Sequence, residues 1–411
     1  MTQTLSRDVG GQLDDALSDD PEPRRRLLPI ISVDDHLIEP PDLFEGRLPK
    51  AYADRAPKVV EVDGRQVWEV DGRQELNIGL SAVAGRPRDS WSRDPVRFDV
   101  MRRGCWDIDR RVADMDINGV GASICFPSGL IGFCGSKLLQ VKDDDFALAL
   151  LRGYNTWQLE VWHGRHPTRI IPMQMPYLQD AKVAAQEIRS NAELGFRALS
   201  FCEDPAKLGL ASIWSGYWDP VLAACEETGT VLCLHVASSG WNPTVAKEAP
   251  PAMRPIHFMS IALIAATDWL WSGIPTRYPK LKIVMSEGGV GWVPVLARRS
   301  DYVMNHAIAG EEAGAWTDSL LPSEVLKRNF WFCLLDEPLS PEVVYTAGID
   351  HLLAESDYPH ADGTWPNTQD VMAKRLSWLD EKDALKVSYR NAEALFDFKL
   401  DEAQTQTAMT A

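Results

Sequence analysis

Eight short apolar segments alternate with longer segments of helical period along most of the chain, and this rhythm limits the possible folds more than any other feature. The apolar segments lie at 31–36, 122–127, 169–178, 196–204, 230–238, 281–289, 330–338 and 351–359. They are nearly continuous in apolar residues, as expected of parallel strands covered on both faces. Eight strand–helix units over roughly 370 residues predict an α/β fold, a closed (β/α)₈ TIM barrel. A doubly wound open sheet is the alternative, but no GxGxxG loop follows any of the strands.

An insertion and two tails complete the predicted organisation. Residues 1–27 and 399–411 lack periodicity, and we predict mobile tails on either side of a barrel at 28–398. Residues 40–106 interrupt the barrel after the first strand and are predicted to form a small cap near its mouth. Within them, Asp63-Gly64 separates two alternating runs, which predicts a hairpin over 58–72.

Charge and cysteine usage exclude several classes of protein. The net charge is −17, so a broad nucleic-acid-binding surface is not expected. Seven cysteines without a CxxC pair favour reduced thiols over a disulfide framework. The most apolar stretch, 260–274, contains Asp268 and is too short to span a bilayer. We predict a cytoplasmic protein with a small-molecule substrate and no nucleic-acid or membrane partner, and leave homo-oligomerisation open.

Polar side chains cluster where the predicted strands end. The first strand ends in Asp34-Asp35-His36, the fifth in His235, the sixth in Glu287 and the eighth in Asp357. Barrel enzymes place catalysis at these carboxyl ends, because the strands are rigid and the loops beyond them vary. Strand alternation points Asp34 and His36 the same way and Asp35 the opposite way. Converging imidazoles and carboxylates would suit a divalent metal ion.

Six segments give the chain a resemblance to the amidohydrolase superfamily, specifically to the amidohydrolase-2 branch that includes aminocarboxymuconate semialdehyde decarboxylase-like enzymes. The resemblance covers about 30–398 and rests on VDDHLIEPPDLF, DIDRRVADMDINGV, LHVAS, LKIVMSEGGVGWVP, ESDYPH and YRNAEALFDF. It implies a TIM barrel and a metal-dependent reaction, and it does not specify the substrate.

The resemblance implies a set of metal ligands. The HxH or ExH metal motif of the first strand falls on Asp34-Asp35-His36, so that Asp34 replaces the first ligand. The fifth-strand histidine falls on His235. The eighth-strand aspartate, which binds metal or accepts a proton from the attacking water, falls on Asp357.

The sixth strand departs from the family pattern. The usual HGG motif is here Glu287-Gly288-Gly289, so a carboxylate replaces an imidazole that handles protons in relatives. Glu287 could bind the metal or act as a base, and a salt-bridged structural role is the alternative. The five side chains could hold one or two ions of Zn²⁺, Fe²⁺ or Mn²⁺.

Four further residues are candidates for substrate binding. His360 lies just beyond Asp357 and could orient a ligand or the substrate. Arg102, Arg103 and Trp106 belong to an arginine-rich run at 86–111 with interleaved aromatic residues. Salt bridging to the neighbouring aspartates is the simpler explanation of that run. An anion-binding lid over an aromatic pocket is the alternative, because guanidinium groups suit carboxylates and phosphates.

Three functions remain open on the sequence. We favour hydrolysis of a C–N, ester or thioester bond in a bulky organic acid derivative, with a water activated by the metal and Asp357 accepting its proton. Decarboxylation of an aromatic or unsaturated acid is the alternative, disfavoured because the sixth-strand imidazole is absent and a nearby cation should keep Glu287 ionised. A non-catalytic binding protein is third, since a pure binder has no need to hold buried carboxylates together.

Overall fold

The computed structural model describes residues 17–93, 97–243, 246, 248–250, 253–306 and 316–407. The strands are β1 Ile31–Leu37, β2 Lys58–Val62, β3 Arg65–Val70, β4 Arg73–Leu76, β5 Ala122–Pro127, β6 Met173–Gln174, β7 Ala198–Cys202, β8 Val231–His235, β9 Ile283–Ser286, β10 Phe330–Leu334 and β11 Leu352–Ala354. The helices are α1 Ile108–Asn118, α2 Asp144–Trp157, α3 Ala181–Leu194, α4 Asp219–Thr228, α5 Met253–Ile256, α6 Phe258–Trp271, α7 Ile274–Arg277, α8 Val293–His306, α9 Pro322–Asn329, α10 Pro341–Ala347, α11 Thr368–Leu376, α12 Glu381–Leu385, α13 Asn391–Phe396 and α14 Glu402–Thr405.

Eight parallel strands with helical connections form the barrel, as predicted. Strands β6 to β11 pair in chain order in one sheet, and β1 pairs with β5. The ladder is interrupted on both sides of the β1–β5 pair, and two backbone hydrogen bonds connect the neighbours on each side. Ser123 on β5 bonds to the chain at 169–171, and the Asp357 amide donates to the carbonyl of Asp34 at 2.8 Å. The β6 strand is short because prolines at 172 and 176 flank it and cannot donate to a ladder.

Helix ends follow the expected capping chemistry. Asp107 and Asp180 accept hydrogen bonds from the first-turn amides of α1 and α3, and both helices end at a glycine in the left-handed region. The closing segment at 369–396 has a helical period throughout, but it does not form one long helix. Asp380 caps a new helix, so α11, α12 and α13 are separate pieces.

The insertion lies beside the barrel mouth. Strands β2 and β3 form the predicted hairpin around Asp63-Gly64, and a second Asp-Gly turn at 71–72 adds strand β4. Strand β4 lies beyond the predicted hairpin at 58–72 and was not predicted. The Val83 amide donates to the carbonyl of Pro359, which joins the insertion to the loop after β11.

The parts of the predicted tails that the structure describes make specific contacts with the barrel and with each other. The amide of Leu27 donates to Gln369, and the Arg26 guanidinium donates to the carbonyl of Ala403 in α14. Residues 1–16 and 408–411 of the predicted tails lie outside the described residues. Among those described, no helix is both long and apolar enough to cross a membrane.

Asp35 is the buried connection between the first, second and eighth barrel strands. Its carboxylate accepts hydrogen bonds from the hydroxyls of Ser32, Ser123 and Ser356 and from the amide of Tyr358. The alternation argument correctly separated it from Asp34 and His36. Because these donors come from three strands, the carboxylate stabilises the barrel where the ladder is interrupted.

We expect Asp35→Ala to lower the free energy of unfolding by about 3 to 5 kcal/mol, since buried donors lose a charged acceptor. Urea denaturation followed by circular dichroism measures the change. Asp54→Ala, at an exposed position, is the control and should change stability little. An equal, small effect of both substitutions would contradict this role of Asp35.

Candidate metal centre and active site

Side chains from four strand ends converge at the barrel mouth. The Nε2 atom of His36 lies 3.3 Å from Asp34 Oδ1, 3.3 Å from Asp357 Oδ1 and 3.1 Å from His235 Nε2. The Nε2 atom of His235 lies 3.1 Å from Glu287 Oε2. All five predicted ligand side chains are therefore close together. The parallel sheet accounts for this, because it brings the carboxyl ends of β1, β8, β9 and β11 to one end of the barrel.

His360 joins the same cluster from the loop after β11. Its Nδ1 atom lies 3.1 Å from Asp357 Oδ1, and its ring stacks on that of His36 with the centroids 3.6 Å apart. Two groups of three side chains that share His36 have donor atoms close enough to hold an ion. They are Asp34, His36 and His235, and His36, Asp357 and His360.

The tautomer of His235 directs a lone pair into the cluster. Its Nδ1 atom lies 2.7 Å from the carbonyl oxygen of Val236, which can only accept a hydrogen bond. The proton of the neutral ring therefore resides on Nδ1. The Nε2 atom, which faces His36 and Glu287, is left unprotonated, and its lone pair is free to bind a metal ion, as in metal-ligating histidines.

Four orphaned carboxylate oxygens indicate that a cation belongs here. Both oxygens of Asp34 and both of Asp357 are buried and lack a hydrogen-bond partner in the described part of the chain. Buried polar atoms are normally satisfied, so such a group of exceptions requires an explanation. Carboxylate oxygens and imidazole nitrogens together fit a divalent ion, and the donor set passes this test.

Two of the acidic residues are held in a sparsely populated backbone conformation. Glu287 has φ 55° and Asp357 has φ 51°, in the left-handed region that non-glycine residues rarely adopt. Such strain costs about 1 to 3 kcal/mol and is concentrated at functional sites. The backbone therefore turns both carboxyl groups toward the cluster at an energetic cost.

Burial and mutual repulsion raise the carboxyl pKa values. Burial is the main reason why the pKa of Asp34 lies well above its usual value, and Glu355, Glu287 and Asp357 raise it further. The pKa values of Glu287 and Asp357 are also well above their usual values, mainly because of burial. A bound divalent cation would reverse this balance by favouring the ionised forms.

The imidazole groups are driven toward their neutral forms. Burial lowers the pKa of His235 to about 3 and that of His360 to about 3, and it places the pKa of His36 well below its usual value. Although carboxylates lie nearby, burial remains the largest influence on each ring. Neutral imidazoles are the form that binds metal.

Arg111 fixes the backbone that carries His36. Its guanidinium is fully buried, donates to the carbonyls of His36 and Gly104, and lies 4.3 Å from the ring centroid of Tyr358. It belongs to the predicted arginine-rich run, but it acts behind β1 rather than on a ligand.

The other arginine-run candidates lie outside the cluster. Arg102 forms a bidentate salt bridge with Asp114, and Arg103, largely exposed, pairs with Asp107. Trp106 packs edge-on against Phe98. Salt bridging accounts for both arginines, in agreement with the simpler of the two interpretations.

Two residues at the site were not singled out from the sequence. Glu355 is buried and accepts a hydrogen bond from the Glu287 amide, and strand alternation with Asp357 was the signal for it. Phe133 packs its ring 4.9 Å from that of His36 and 4.5 Å from that of His235. No sequence pattern marks Phe133, because it lies in the loop after β5.

A family model described as amidohydrolase matches residues 53–398. The chain belongs to this amidohydrolase family. Its barrel architecture is shared by solved structures of low sequence identity. One is an amidohydrolase from Mycobacterium avium subsp. paratuberculosis, with 22% identity, a TM-score of 0.69 and coverage of 90% of this chain and 99% of the other.

Decarboxylases occur among the similar structures. The 5-carboxyvanillate decarboxylase of Sphingomonas paucimobilis has 20% identity and a TM-score of 0.61, with coverage of 90% and 100%. A dihydroxybenzoic acid decarboxylase from Polaromonas sp. JS666, solved with manganese and 2-nitroresorcinol, has 18% identity and a TM-score of 0.59, with coverage of 90% and 97%. At these identities the likeness concerns the fold.

We expect His235→Ala to reduce the affinity for divalent metal by more than the roughly tenfold to hundredfold typical of losing an outer-shell partner. Elemental analysis after dialysis against limiting Mn²⁺ measures the occupancy. His166→Ala, which removes a surface histidine paired with Asp109, is the control. Equal metal content in both variants would argue against a site at this mouth.

We expect metal-free protein to lose stability as pH rises above 6.5. The carboxyl groups have raised folded-state pKa values, so their contribution is fully present below the unfolded pKa near 4 and is lost as pH rises toward the folded pKa. The imidazoles, with lowered pKa values, oppose this only below 6.5.

Thermal unfolding between about pH 6.5 and pH 8.5, with and without Mn²⁺, measures the effect. The melting temperature should fall with pH for metal-free protein and change less for the metal-loaded form. A metal-free melting temperature that rises over this range would contradict the account.

Proposed function

We propose that this protein is a metal-dependent carboxy-lyase that removes CO₂ from an aromatic or unsaturated acid. The observation that supports it most directly is the number of acidic groups at the mouth. Asp34, Glu287, Glu355 and Asp357 are gathered in one water-poor site with three neutral imidazoles. Decarboxylation requires a proton donor at carbon, and this group of acids supplies one.

Charge balance supports a protonated carboxyl group even with a metal ion bound. One divalent ion offsets two of the four negative charges, and burial penalises the remaining two. Arg111 is a buried cation beside His36, but Asp35 already offsets part of its charge. At least one carboxyl group is therefore expected to retain its proton. A cation that keeps Glu287 ionised therefore still leaves a protonated carboxyl group elsewhere in the cluster.

Asp357 is our candidate for the proton donor. Its Oδ1 atom is 3.1 Å from His360 Nδ1, and His360 Nε2 is 3.1 Å from the hydroxyl of Ser128. His360 would pass a proton to Asp357, from the side of the loop after β5, once the two atoms, which are close but do not form a hydrogen bond here, are aligned. As the C–C bond to the carboxylate breaks, its electron pair stays on the substrate carbon, which takes the proton from Asp357.

A divalent ion held by Asp34, His36, His235 and Asp357, with Glu287 at its edge, would supply electrophilic stabilisation of the substrate's oxygens when bound. Manganese is the first ion to test, because carboxylate-rich donor sets suit it and it is named with two of the similar decarboxylases. Phe133 covers the imidazole faces and limits the access of water.

Hydrolysis is the second candidate. The unpartnered oxygens of Asp357 favour it, because they could accept a proton from an attacking water. The absence of an imidazole on β9 is compatible with this role. The two reactions differ in their products, so a single experiment separates them.

We expect Mn²⁺-loaded protein to release CO₂ from an acid in a panel that includes 5-carboxyvanillate and 2,6-dihydroxybenzoate. In D₂O, one deuterium should appear at the vacated carbon. In ¹⁸O-water, the organic product should gain no label.

Asp357→Asn should lower kcat by about a hundredfold or more, in the range typical of losing a general acid, whereas Asp370→Asn at an exposed position should not. Label in a new carboxylate without CO₂ release would identify hydrolysis instead.

A further inference from the structure

Residues 17–28, here called the N-terminal strap, lie across the insertion and the loop after β11. The Ser18 amide donates to the carbonyl of Gly85 at 2.8 Å. The Arg24 side chain donates to the carbonyl of Pro366, and the amides of the strap's last two residues share the side-chain oxygen of Gln369. The strap therefore contacts both segments that border the mouth on this side.

One ion pair connects the middle of the strap to the protein interior. Asp20 accepts a hydrogen bond from Arg102 Nη1 at 2.7 Å. Arg102 is buried and also donates hydrogen bonds to Asp114. The Oδ2 atom of Asp114 accepts a further hydrogen bond from the hydroxyl of Tyr358. Tyr358 directly follows Asp357. Arg102 thus joins the strap to the same hydrogen-bonded network that supports the end of β11.

A cavity of about 290 Å³ lies beneath the strap. Ser18 and Asp19 form its strap side, Val83 and Trp91 come from the insertion, and His360 and Trp365 come from the loop after β11. His360 is the link to the acidic cluster, since its Nδ1 atom lies near Asp357 and its ring stacks on that of His36. A ligand in this cavity would have one end against His360 and the other beneath the strap.

We propose that the N-terminal strap forms the outer wall of the substrate pocket and that the Asp20–Arg102 ion pair holds it there, so that the end of an aromatic carboxylic acid remote from the reacting carbon binds between the strap, Trp91, Trp365 and His360. This inference rests on the proposed function for the class of ligand. The position of the wall rests on the contacts of the strap alone.

The composition of the cavity matches such a ligand. Two indole rings and the side chains of Val83 and Ala84 offer apolar contact to a ring, and the pocket volume is near the lower end of small-molecule sites. In such a pocket, the side chains of the strap determine which substituents on the ring can fit, and the metal ligands stay the same.

Three variants test the wall in Mn²⁺-loaded, full-length protein. Ser18→Trp fills the cavity from the strap and retains the backbone bond to Gly85. Asp20→Asn weakens the anchoring ion pair. Glu22→Gln is the matched control, because it removes one negative charge from an exposed position of the same strap. Calorimetry measures the Kd of 2,6-dihydroxybenzoate, 5-carboxyvanillate and 4-hydroxy-3-methoxy-5-nitrobenzoate, and elemental analysis measures bound manganese.

We expect Ser18→Trp to raise the Kd of the tightest of these acids at least tenfold. Asp20→Asn should raise it about twofold to fivefold, the range of one partly exposed ion pair. Glu22→Gln should leave the Kd unchanged, and all three variants should retain wild-type manganese content. A merely structural role of the strap would instead change the melting temperature and spare the Kd.

An unchanged Kd in Ser18→Trp, or no binding of any of the three acids to wild-type protein, would overturn the inference. If wild-type protein releases CO₂ and Ser18→Trp leaves the Kd unaltered, the proposed reaction stands and the strap does not line the substrate pocket. If Ser18→Trp abolishes binding of the acid and wild-type protein releases no CO₂, the strap does line the pocket and the proposed reaction is wrong.

Discussion

The mutual repulsion of buried carboxylates at the barrel mouth is the constraint on which the rest of the site depends. Asp34, Glu355 and Asp357 are buried together, and the oxygens of Asp34 and Asp357 have no partner in the described part of the chain. A fold maintains such an arrangement only if a cation, or protons, compensate the charge. The neutral imidazoles and the strained backbone at Glu287 and Asp357 are consistent with a site built around that compensation.

The surrounding structure fixes these groups from behind. Asp35 ties three strands together on the opposite side of β1, and Arg111 holds the carbonyl of His36. The strand that supplies two candidate ligands is thus fixed by a carboxylate and a guanidinium that do not face the cluster. Asp34 and His36 face the cluster and Asp35 faces away from it, because successive side chains along β1 point to opposite faces.

Much of the fold and the core of the site follow from the sequence. Buried parallel strands are nearly continuous apolar runs, so all eight were located, and the strand-end rule placed Asp34, His36, His235, Glu287 and Asp357 in one group. The β4 strand was missed, because its exposed polar residues carry no apolar pattern. The closing segment at 369–396 keeps a helical period across Asp380, so its division into three helices is not apparent from the sequence.

The contacts that sequence reasoning could not supply are those between distant segments. Arg102 contacts Asp20 and Asp114 only after the strap, the insertion and α1 have packed, so the sequence favoured salt bridges for the arginine run but left a ligand site open as the alternative. Phe133 reaches the imidazoles from a loop whose course no local pattern determines. The strap was predicted as a tail because its contacts are backbone hydrogen bonds and side-chain contacts to distant segments, which leave no signature in side-chain periodicity.

The most direct test of the central claim is an anomalous difference map at the manganese edge, from crystals grown with Mn²⁺. The account predicts a peak within about 2.0 to 2.6 Å of donor atoms from Asp34, His36, His235 and Asp357, the range of metal–ligand bonds. A mouth without an anomalous peak, in which the carboxyl groups are hydrogen-bonded to one another through retained protons, would contradict it.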